Sequence, residues 1–209
     1  MKVVIFDMDG TLLDSKKDIT ISINHTRKLH YNLEPLSEDF IVEAINMEVR
    51  NLSMLFYETE IYHDIARDSF ETHYESQCTQ NPYLYSGIEE ILHELVASGI
   101  KISVATNAPT KFAVKMLDHL NVAYLFDVII GADEVQNSKP SPDMLNKILD
   151  FYSFDKESHK AWMIGDNSKD ILSADNAGIK SMFATWGFSP QSKSIVTVNK
   201  PKEILDIIL

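Results

Sequence analysis

The sequence contains a single cysteine, Cys78, among 209 residues. A disulfide within the chain is therefore excluded, and so is a zinc site built from several cysteines. Basic residues are also scarce, with 19 Lys and Arg against 31 Asp and Glu and a formal net charge of −12. A protein with this charge repels phosphate backbones and anionic lipid surfaces, so we expect neither nucleic acid nor membrane as a partner.

Long hydrophobic runs are missing as well. No apolar stretch approaches the roughly 20 residues that a membrane helix needs. The first apolar run, Val3–Phe6, stops at Asp7 and is too short for the core of a signal peptide. With 44% hydrophobic residues the chain has enough apolar surface to fold. We therefore predict a cytoplasmic globular protein, either a monomer or a homodimer.

Short apolar runs alternate with helical patterns over most of the chain. Five runs have the continuous apolar character of strands buried on both faces: Val3–Phe6, Ile102–Ala105, Val128–Ile130, Trp162–Ile164 and Ser181–Ala184. Helical patterns cover Ser86–Ser98, the segment starting at Ser141, and Lys169–Ala177. Ser86 and Glu89 have the spacing of a capping box. The alternation predicts an α/β fold, a Rossmann-like doubly wound parallel sheet.

The segment 16–82 breaks this alternation, because it contains no convincing buried strand. Its patterns predict four helices, at Asp18–His30, Ser37–Ala44, Val49–Thr59 and Asp64–Gln77. Four aromatic residues are expected to form its core: Tyr57, Tyr62, Phe70 and Tyr74. We therefore predict a core domain from residues 1–15 and 83–209, with an all-helical domain inserted at 16–82.

Two polar clusters follow the first two predicted strands. Asp7 and Asp9 stand two residues apart where Val3–Phe6 ends, so one carboxylate could attack while the other handles a proton. Thr106 and Asn107 follow Ile102–Ala105 and could donate to phosphate oxygens. Taken singly, the first cluster is equally typical of a strand-ending Asp-Gly turn, and the second of a helix cap.

Two further clusters come later in the chain. Lys139 precedes Pro140, so it lies outside a helix and could bind a phosphate or balance clustered carboxylates. Asp166 and Asp170 follow the strand Trp162–Ile164 and could hold a hard cation such as Mg²⁺. A solvated loop lysine and an Asx-type helix cap are the ordinary alternatives. Together, however, the acidic pairs at one sheet edge imply a metal ion.

The order of these four motifs resembles the haloacid dehalogenase-like superfamily. The first motif stands here as Asp7-Met8-Asp9-Gly10-Thr11, the second as Thr106, the third as Lys139-Pro140, and the fourth as Gly165-Asp166 through Asp170. Two later stretches, Ala174-Asp175-Asn176-Ala177-Gly178 and Thr185-Trp186-Gly187, look like the phosphoglycolate phosphatase branch. One departure is Ser138, where that branch commonly has glycine.

This resemblance implies a mechanism for phosphoester cleavage. Asp7 would attack phosphorus and form an aspartyl phosphate, while Asp9 would act first as acid and then as base. Thr106, Asn107 and Lys139 would bind and neutralise the phosphoryl oxygens. Mg²⁺ would be held by Asp7, by Asp9 through its backbone carbonyl, and by Asp166, with Asp170 supporting a metal-bound water or Lys139.

The helical insertion matches the helical cap of the family, which would close over the site and decide the substrate. Arg50 lies near an early loop or helix start of that insertion and could meet a carboxylate or sugar hydroxyls of the substrate. An ordinary surface arginine is the alternative.

The function predicted from these residues and this resemblance is a magnesium-dependent phosphatase that acts on a small phosphomonoester, either a phosphoglycolate-like compound or a sugar or nucleotide phosphate. Two alternatives stay open. One is a phosphotransferase or mutase resembling β-phosphoglucomutase. That family often has valine after the motif glycine, so Thr11 at this position favours hydrolysis instead. The other is a catalytically silent binding protein on the same scaffold.

Overall fold

The chain is described here by a computed structural model that covers residues 1–47, 50–61, 63–189 and 196–209. Its strands are β1 (Lys2–Phe6), β2 (Leu13–Asp14), β3 (Tyr83–Leu84), β4 (Lys101–Ala105), β5 (Val128–Ile130), β6 (Lys160–Gly165), β7 (Lys180–Ala184) and β8 (Thr197–Val198). Its α-helices are α1 (Lys16–Tyr31), α2 (Glu38–Asn46), α3 (Leu52–Tyr57), α4 (Asp64–Gln77), α5 (Ile88–Ala97), α6 (Thr110–His119), α7 (Asp143–Phe151), α8 (Ser168–Ala177) and α9 (Lys202–Ile208).

Six strands form one sheet in the order β5-β4-β1-β6-β7-β8, and every neighbouring pair is parallel. The order runs one way from β1 through β4 to β5 and the other way through β6 to β8, which is the doubly wound topology. The predicted fold class and all five predicted strands are therefore confirmed. In such a sheet, ligands bind at the carboxyl ends of the strands where the order reverses, beside β1.

The sheet is buried because its strands carry apolar side chains on both faces. Val3 and Ile5 of β1 and Met163 of β6 are fully buried and pack in one cluster with α7 and α8. The α7 side chains in that cluster are Met144, Leu145, Ile148 and Leu149, which follow helical spacing. The buried sheet thus positions the residues that lie at the carboxyl ends of its strands.

The chain divides into two compact units, one formed by Met1–Asp14 and Leu84–Leu209 and the other by Ser15–Tyr83. The second unit contains α1 to α4, and its described residues pack around Ile23, Ile41, Ala44, Phe56 and Tyr57. Of the aromatic residues expected in this core, Tyr57 and Tyr74 are buried, Phe70 is half-buried, and Tyr62 lies outside the described residues. The two short strands β2 and β3 pair as a separate sheet.

Several helix boundaries differ from those expected. The capping box at Ser86 and Glu89 is wrong, because Gly87, at φ 88°, is the N-cap of α5 and no side-chain cap bond forms. The helix expected from Ser141 begins at Asp143. The helix expected at Val49–Thr59 is shorter, since α3 spans Leu52–Tyr57, and Val49 lies outside the described residues.

Within the described part of the chain, none of the helices has the length and hydrophobicity required to span a membrane.

Candidate active site

Lys139 lies at the centre of the polar cluster beside β1. Its side chain is buried, and its Nζ donates to Asp7 Oδ1 at 2.6 Å and to the carbonyl oxygen of Ala105 at 2.6 Å. A third contact joins Nζ to Asp170 Oδ1 at 2.7 Å. Burial opposes the charge on Lys139, but the carboxylates of Asp170 and Asp7 outweigh it and raise the pKa of the amine. Lys139 is therefore a fixed cation that links the end of β1, the end of β4 and the first turn of α8.

Asn107 positions this lysine from the loop after β4. Its Nδ2 donates to the carbonyl oxygen of Lys139, and its Oδ1 accepts from the Lys139 N–H, both at 3.0 Å. One N–H of the Asn107 amide remains for other contacts. Thr106 is buried beside it, and its Oγ1 accepts a hydrogen bond from the Ala108 N–H at 3.1 Å.

Three carboxylates come together at the same edge of the sheet. Oxygen atoms of Asp7, Asp166 and Asp170 all lie within 4.8 Å of one another, and all three residues are buried. Burial, together with Asp170 and Asp166, raises the pKa of Asp7 although Lys139 opposes the shift. Burial and then Asp170 raise the pKa of Asp166 to about 7.

This donor set fits a divalent cation. When ionised, three carboxylates and one lysine leave two uncompensated negative charges in a buried cluster. A divalent cation would balance these charges, and carboxylate oxygens are the ligands that Mg²⁺ prefers. The structure thus places Asp7, Asp166 and Asp170 where they could hold Mg²⁺. The Asp9 side chain, half-buried, is not part of this carboxylate group among the described residues.

Asp170 is oriented by the first turn of α8. Its Oδ2 accepts from the Asn167 N–H at 3.0 Å, and Asn167 Oδ1 accepts from the Lys169 N–H at 3.0 Å, in a capping-box arrangement. A Cβ at Gly165 would lie 2.2 Å from Asp170 Oδ2, so this position requires glycine. Since Oδ1 contacts Lys139, both oxygens of Asp170 already have partners.

Asp166 is held by Thr11 and by Phe188, a residue after β7 that was not among the predicted site residues. Thr11 Oγ1 donates to Asp166 Oδ1 at 3.1 Å, and the Phe188 N–H donates to Asp166 Oδ2 at 2.6 Å. Gly10, at φ 88°, allows the first motif to turn back against Asp166, so closely that a Cβ at position 10 would lie 2.4 Å from Asp166 Oδ2. Backbone N–H donors such as that of Phe188 leave no signal in residue identity.

Arg50 belongs to the helical unit and lines a cavity of about 560 Å³ there. Its guanidinium is half-buried, which lowers the pKa of the side chain, and Nη1 lies 3.4 Å from the carbonyl oxygen of Met47. No carboxylate among the described residues forms an ion pair with it. Arg27, in contrast, is buried and donates to the carbonyl oxygens of Glu34 and Phe56.

Comparison with known proteins agrees with this arrangement. A model of the haloacid dehalogenase-like hydrolase family matches residues 4–184. The chain therefore belongs to that family and is a hydrolase, as the order of its four motifs predicts.

The likeness to phosphoglycolate phosphatases is also confirmed. Such an enzyme from Aquifex aeolicus is 31% identical over 214 residues, covering 100% of this chain and 97% of the relative. An N-acetylmuramic acid 6-phosphate phosphatase from Pseudomonas aeruginosa is 28% identical, with coverage of 100% and 95%. The crystal structure of a predicted phosphoglycolate phosphatase from Haemophilus somnus superposes with a TM-score of 0.85 at 25% identity, covering 100% of this chain and 98% of that one.

Proposed function

We propose that this protein is a magnesium-dependent phosphatase that hydrolyses a small phosphomonoester through an aspartyl phosphate. The observation that carries the proposal is the buried cluster of Asp7, Asp166 and Asp170 around the Lys139 amine. This arrangement supplies a nucleophile, a place for a divalent cation and a fixed positive charge at one edge of the sheet. Phosphoryl transfer needs little beyond such positioning and charge stabilisation.

Asp7 is the proposed nucleophile. Its Oδ1 accepts a hydrogen bond from Lys139, whereas Oδ2 lies 3.4 Å from Thr11 Oγ1, whose one proton is donated to Asp166 Oδ1 at the shorter distance of 3.1 Å. Oδ2 is therefore the oxygen available to attack phosphorus as the bond to the leaving oxygen breaks. Asp9 is proposed to protonate that leaving oxygen and then to remove a proton from the water that hydrolyses the intermediate.

Asp7, the backbone carbonyl of Asp9, and Asp166 are proposed to hold Mg²⁺, with Asp170 supporting a metal-bound water or Lys139. When bound, Mg²⁺ would neutralise negative charge on the phosphoryl group and on the buried carboxylates. Lys139 would contribute charge stabilisation next to Asp7, and Thr106 and the remaining Asn107 N–H would bind phosphoryl oxygens. Because Asn107 holds the Lys139 backbone, it also keeps the amine in place.

For the substrate we propose a phosphomonoester whose leaving group carries a carboxylate. The names of both enzymes above, phosphoglycolate phosphatase and N-acetylmuramic acid 6-phosphate phosphatase, indicate phosphorylated acids as substrates. Arg50 is the proposed partner of the carboxylate, because its half-buried guanidinium lacks an ion pair among the described residues. A guanidinium matches a carboxylate with two parallel hydrogen bonds. We also propose a cytoplasmic location and a monomeric or homodimeric state, since a chain whose one cysteine is buried and outside any disulfide suits a reducing compartment.

The test is phosphate release from a panel of phosphomonoesters, with and without Mg²⁺. The panel contains phosphoglycolate, sugar phosphates, nucleoside monophosphates and an aryl phosphate. Asp7→Asn should lower the rate at least about a thousandfold while the fold is kept, because the nucleophile is lost and the shape is not. Asp175→Asn, an exposed position on α8, is the matched control and should keep the wild-type rate.

Four results would argue against the proposal. Phosphate release that is independent of Mg²⁺ would exclude a role for the cation. Full activity in Asp7→Asn would exclude Asp7 as the nucleophile. Isomerisation of a sugar phosphate without net phosphate release would instead support the mutase. If no ester is cleaved and none is isomerised, a silent binding protein is the better description.

A further inference from the structure

The segment after β7 reaches back to the carboxylate cluster and contacts Asp166 directly. The Phe188 N–H donates a hydrogen bond to Asp166 Oδ2 at 2.6 Å. Thr11 Oγ1 donates to the other oxygen, Oδ1, at 3.1 Å. With donors on both oxygens, the carboxylate plane of Asp166 is fixed in rotation.

Gly187 packs against the same carboxylate without a side chain between them. A Cβ there would lie 2.2 Å from the Gly10 carbonyl oxygen, 2.4 Å from Asp166 Cβ and 2.5 Å from Asp166 Oδ2. Its φ lies outside the left-handed range, unlike that of Gly10. The backbone conformation therefore does not demand glycine at position 187, whereas the close approach to Asp166 and Gly10 does.

Trp186 fastens this segment to the first motif. Its indole Nε1–H donates to the carbonyl oxygen of Thr11 at 3.0 Å. Thr11 in turn donates to Asp166 Oδ1 and is within 3.4 Å of Asp7 Oδ2. The contacts form a closed ring from Trp186 through Thr11 and Asp166 to Phe188, which returns along the backbone to Trp186.

We propose that Trp186 and Gly187 are positioning residues for the cation site and hold Asp166 in the orientation that binds Mg²⁺. This inference rests on the cation site of the proposed function. The Thr11 hydroxyl and the Phe188 N–H each occupy one lone pair, on Asp166 Oδ1 and Oδ2 respectively. Because these two hydrogen bonds prevent the carboxylate from rotating, they also fix the direction of the lone pairs that remain for the cation. Groups that orient a metal ligand in this way typically contribute about 10–100-fold to metal affinity.

The decisive variant is Trp186→Phe, which keeps the aromatic ring and removes the donor to Thr11. Binding of Mn²⁺ to the whole protein, without any phosphoester, is measured from the free Mn²⁺ signal in electron paramagnetic resonance, and Mg²⁺ binding is measured by competition. We expect the dissociation constant of both cations to rise about tenfold. Gly187→Ala should raise it at least as much, because the new methyl group displaces Asp166.

Thr185→Val is the matched control in the same segment. Thr185 Oγ1 donates to Asn199 Oδ1 at 3.0 Å, and no hydrogen bond among the described residues joins it to Asp166, so cation affinity should stay at the wild-type value. In turnover assays, Trp186→Phe should raise the Mg²⁺ concentration for half-maximal rate about tenfold. Saturating Mg²⁺ should restore kcat, and the KM for the phosphoester should change little, a split that a general loss of folding would not produce.

The inference is overturned if folded Trp186→Phe binds Mn²⁺ and Mg²⁺ as tightly as the wild type, or if Thr185→Val weakens binding equally. Trp186→Phe alone decides the question if Gly187→Ala does not fold. Cation binding is measured without turnover, so the absence of phosphatase activity in the wild type would count against the proposed function and leave this inference to be judged by the titration.

Discussion

Lys139 and Arg50 illustrate two opposite environments for a buried positive charge. The Lys139 amine has three oxygen partners at 2.6–2.7 Å, and removing one partner of such a buried pair costs about 3–5 kcal/mol. Arg50 is half-buried, and the structure shows no carboxylate beside it within the described ranges. The contacts of Lys139 hold the carboxylate cluster together, whereas the Arg50 guanidinium has N–H donors available for a ligand.

Replacing Arg50 should therefore alter substrate preference more than stability. Arg50→Gln is expected to lower kcat/KM for phosphoglycolate about 10–100-fold, the value of a hydrogen-bonded charge pair of about 1.5–3 kcal/mol. The rate with 2-hydroxyethyl phosphate, which lacks the carboxylate, should change less than threefold. The measurement is the ratio of the two kcat/KM values.

Arg67→Gln supplies the control for this substitution. Arg67 is an exposed arginine of the same unit, within 3.3 Å of Asp64, and its loss should leave the ratio unchanged. Equal losses with both phosphoesters in Arg50→Gln would show that Arg50 does not recognise a carboxylate.

Residues with a chemical signature could be predicted from the sequence, whereas residues that act through their backbone could not. Asp7, Asp166 and Asp170 were recognisable because they follow apolar runs, and Lys139 because it precedes Pro140. The structure brings all four together. Asn107 was expected to face phosphate, yet two of its contacts go to the Lys139 backbone. These contacts depend on loop geometry, which residue spacing does not encode.

Among the elements, long buried strands were predictable and short ones were not. The five apolar runs form β1, β4, β5, β6 and β7. They could be predicted because a strand that is covered on both faces of the sheet has apolar residues at consecutive positions. The two-residue strands β2, β3 and β8 are defined by pairing alone and carry no pattern. The helices α6 and α9 were missed. The predicted start of α5 was wrong because Ser86 has the sequence pattern of an N-cap, whereas Gly87, in the left-handed conformation, is the N-cap in the structure.

The pairing of α1 with α4 contains a titratable contact. His25 of α1 stacks on His73 of α4 with ring centroids 4.0 Å apart, and His73 Nδ1 lies 2.9 Å from Ser22 Oγ. Burial and then His25 lower the pKa of His73 from its ordinary value of 6.5. The unfolded chain therefore takes up a proton at this position at a higher pH than the folded chain.

We therefore expect the free energy of unfolding to decrease as the pH falls from about 6.5, the ordinary pKa of histidine, to the lowered pKa of His73 in the folded chain. The midpoint of urea denaturation should fall between pH 7 and pH 5 by a larger amount in the wild type than in His73→Gln. His119→Gln, at an exposed position of α6, should keep the wild-type pH dependence. Identical curves for His73→Gln and the wild type would refute the expectation.

Over the whole molecule, acidic residues outnumber basic ones. The net charge is −12, yet all three arginines, Arg27, Arg50 and Arg67, fall within Ser15–Tyr83. The proposed substrate is an anion, so the field of the whole protein opposes its approach while local groups attract it. Exposed charges are screened by salt, whereas the buried pair of Lys139 and Asp7 is screened much less.

This difference leads to a prediction about ionic strength. The kcat/KM for a phosphomonoester should rise about twofold when monovalent salt is increased from 10 mM to 150 mM, because the Debye length shrinks from about 30 Å to about 8 Å. The kcat at saturating substrate and Mg²⁺ should not change. A fall in kcat/KM would mean that local positive charge, and not the net charge, governs substrate entry.

The pairing of β2 with β3 has a consequence for how the chain could acquire its helices. The inserted unit begins directly after one strand of this pair and returns within the other, so its two ends are held together by the pairing itself. The entropy of closing a loop rises only with the logarithm of its length, about 0.6 kcal/mol for each doubling. A segment with its own hydrophobic core can therefore lengthen, shorten or be exchanged at this joint without altering the register of the parent sheet. Under the proposed function, substrate preference could then change while the buried carboxylate cluster stays the same.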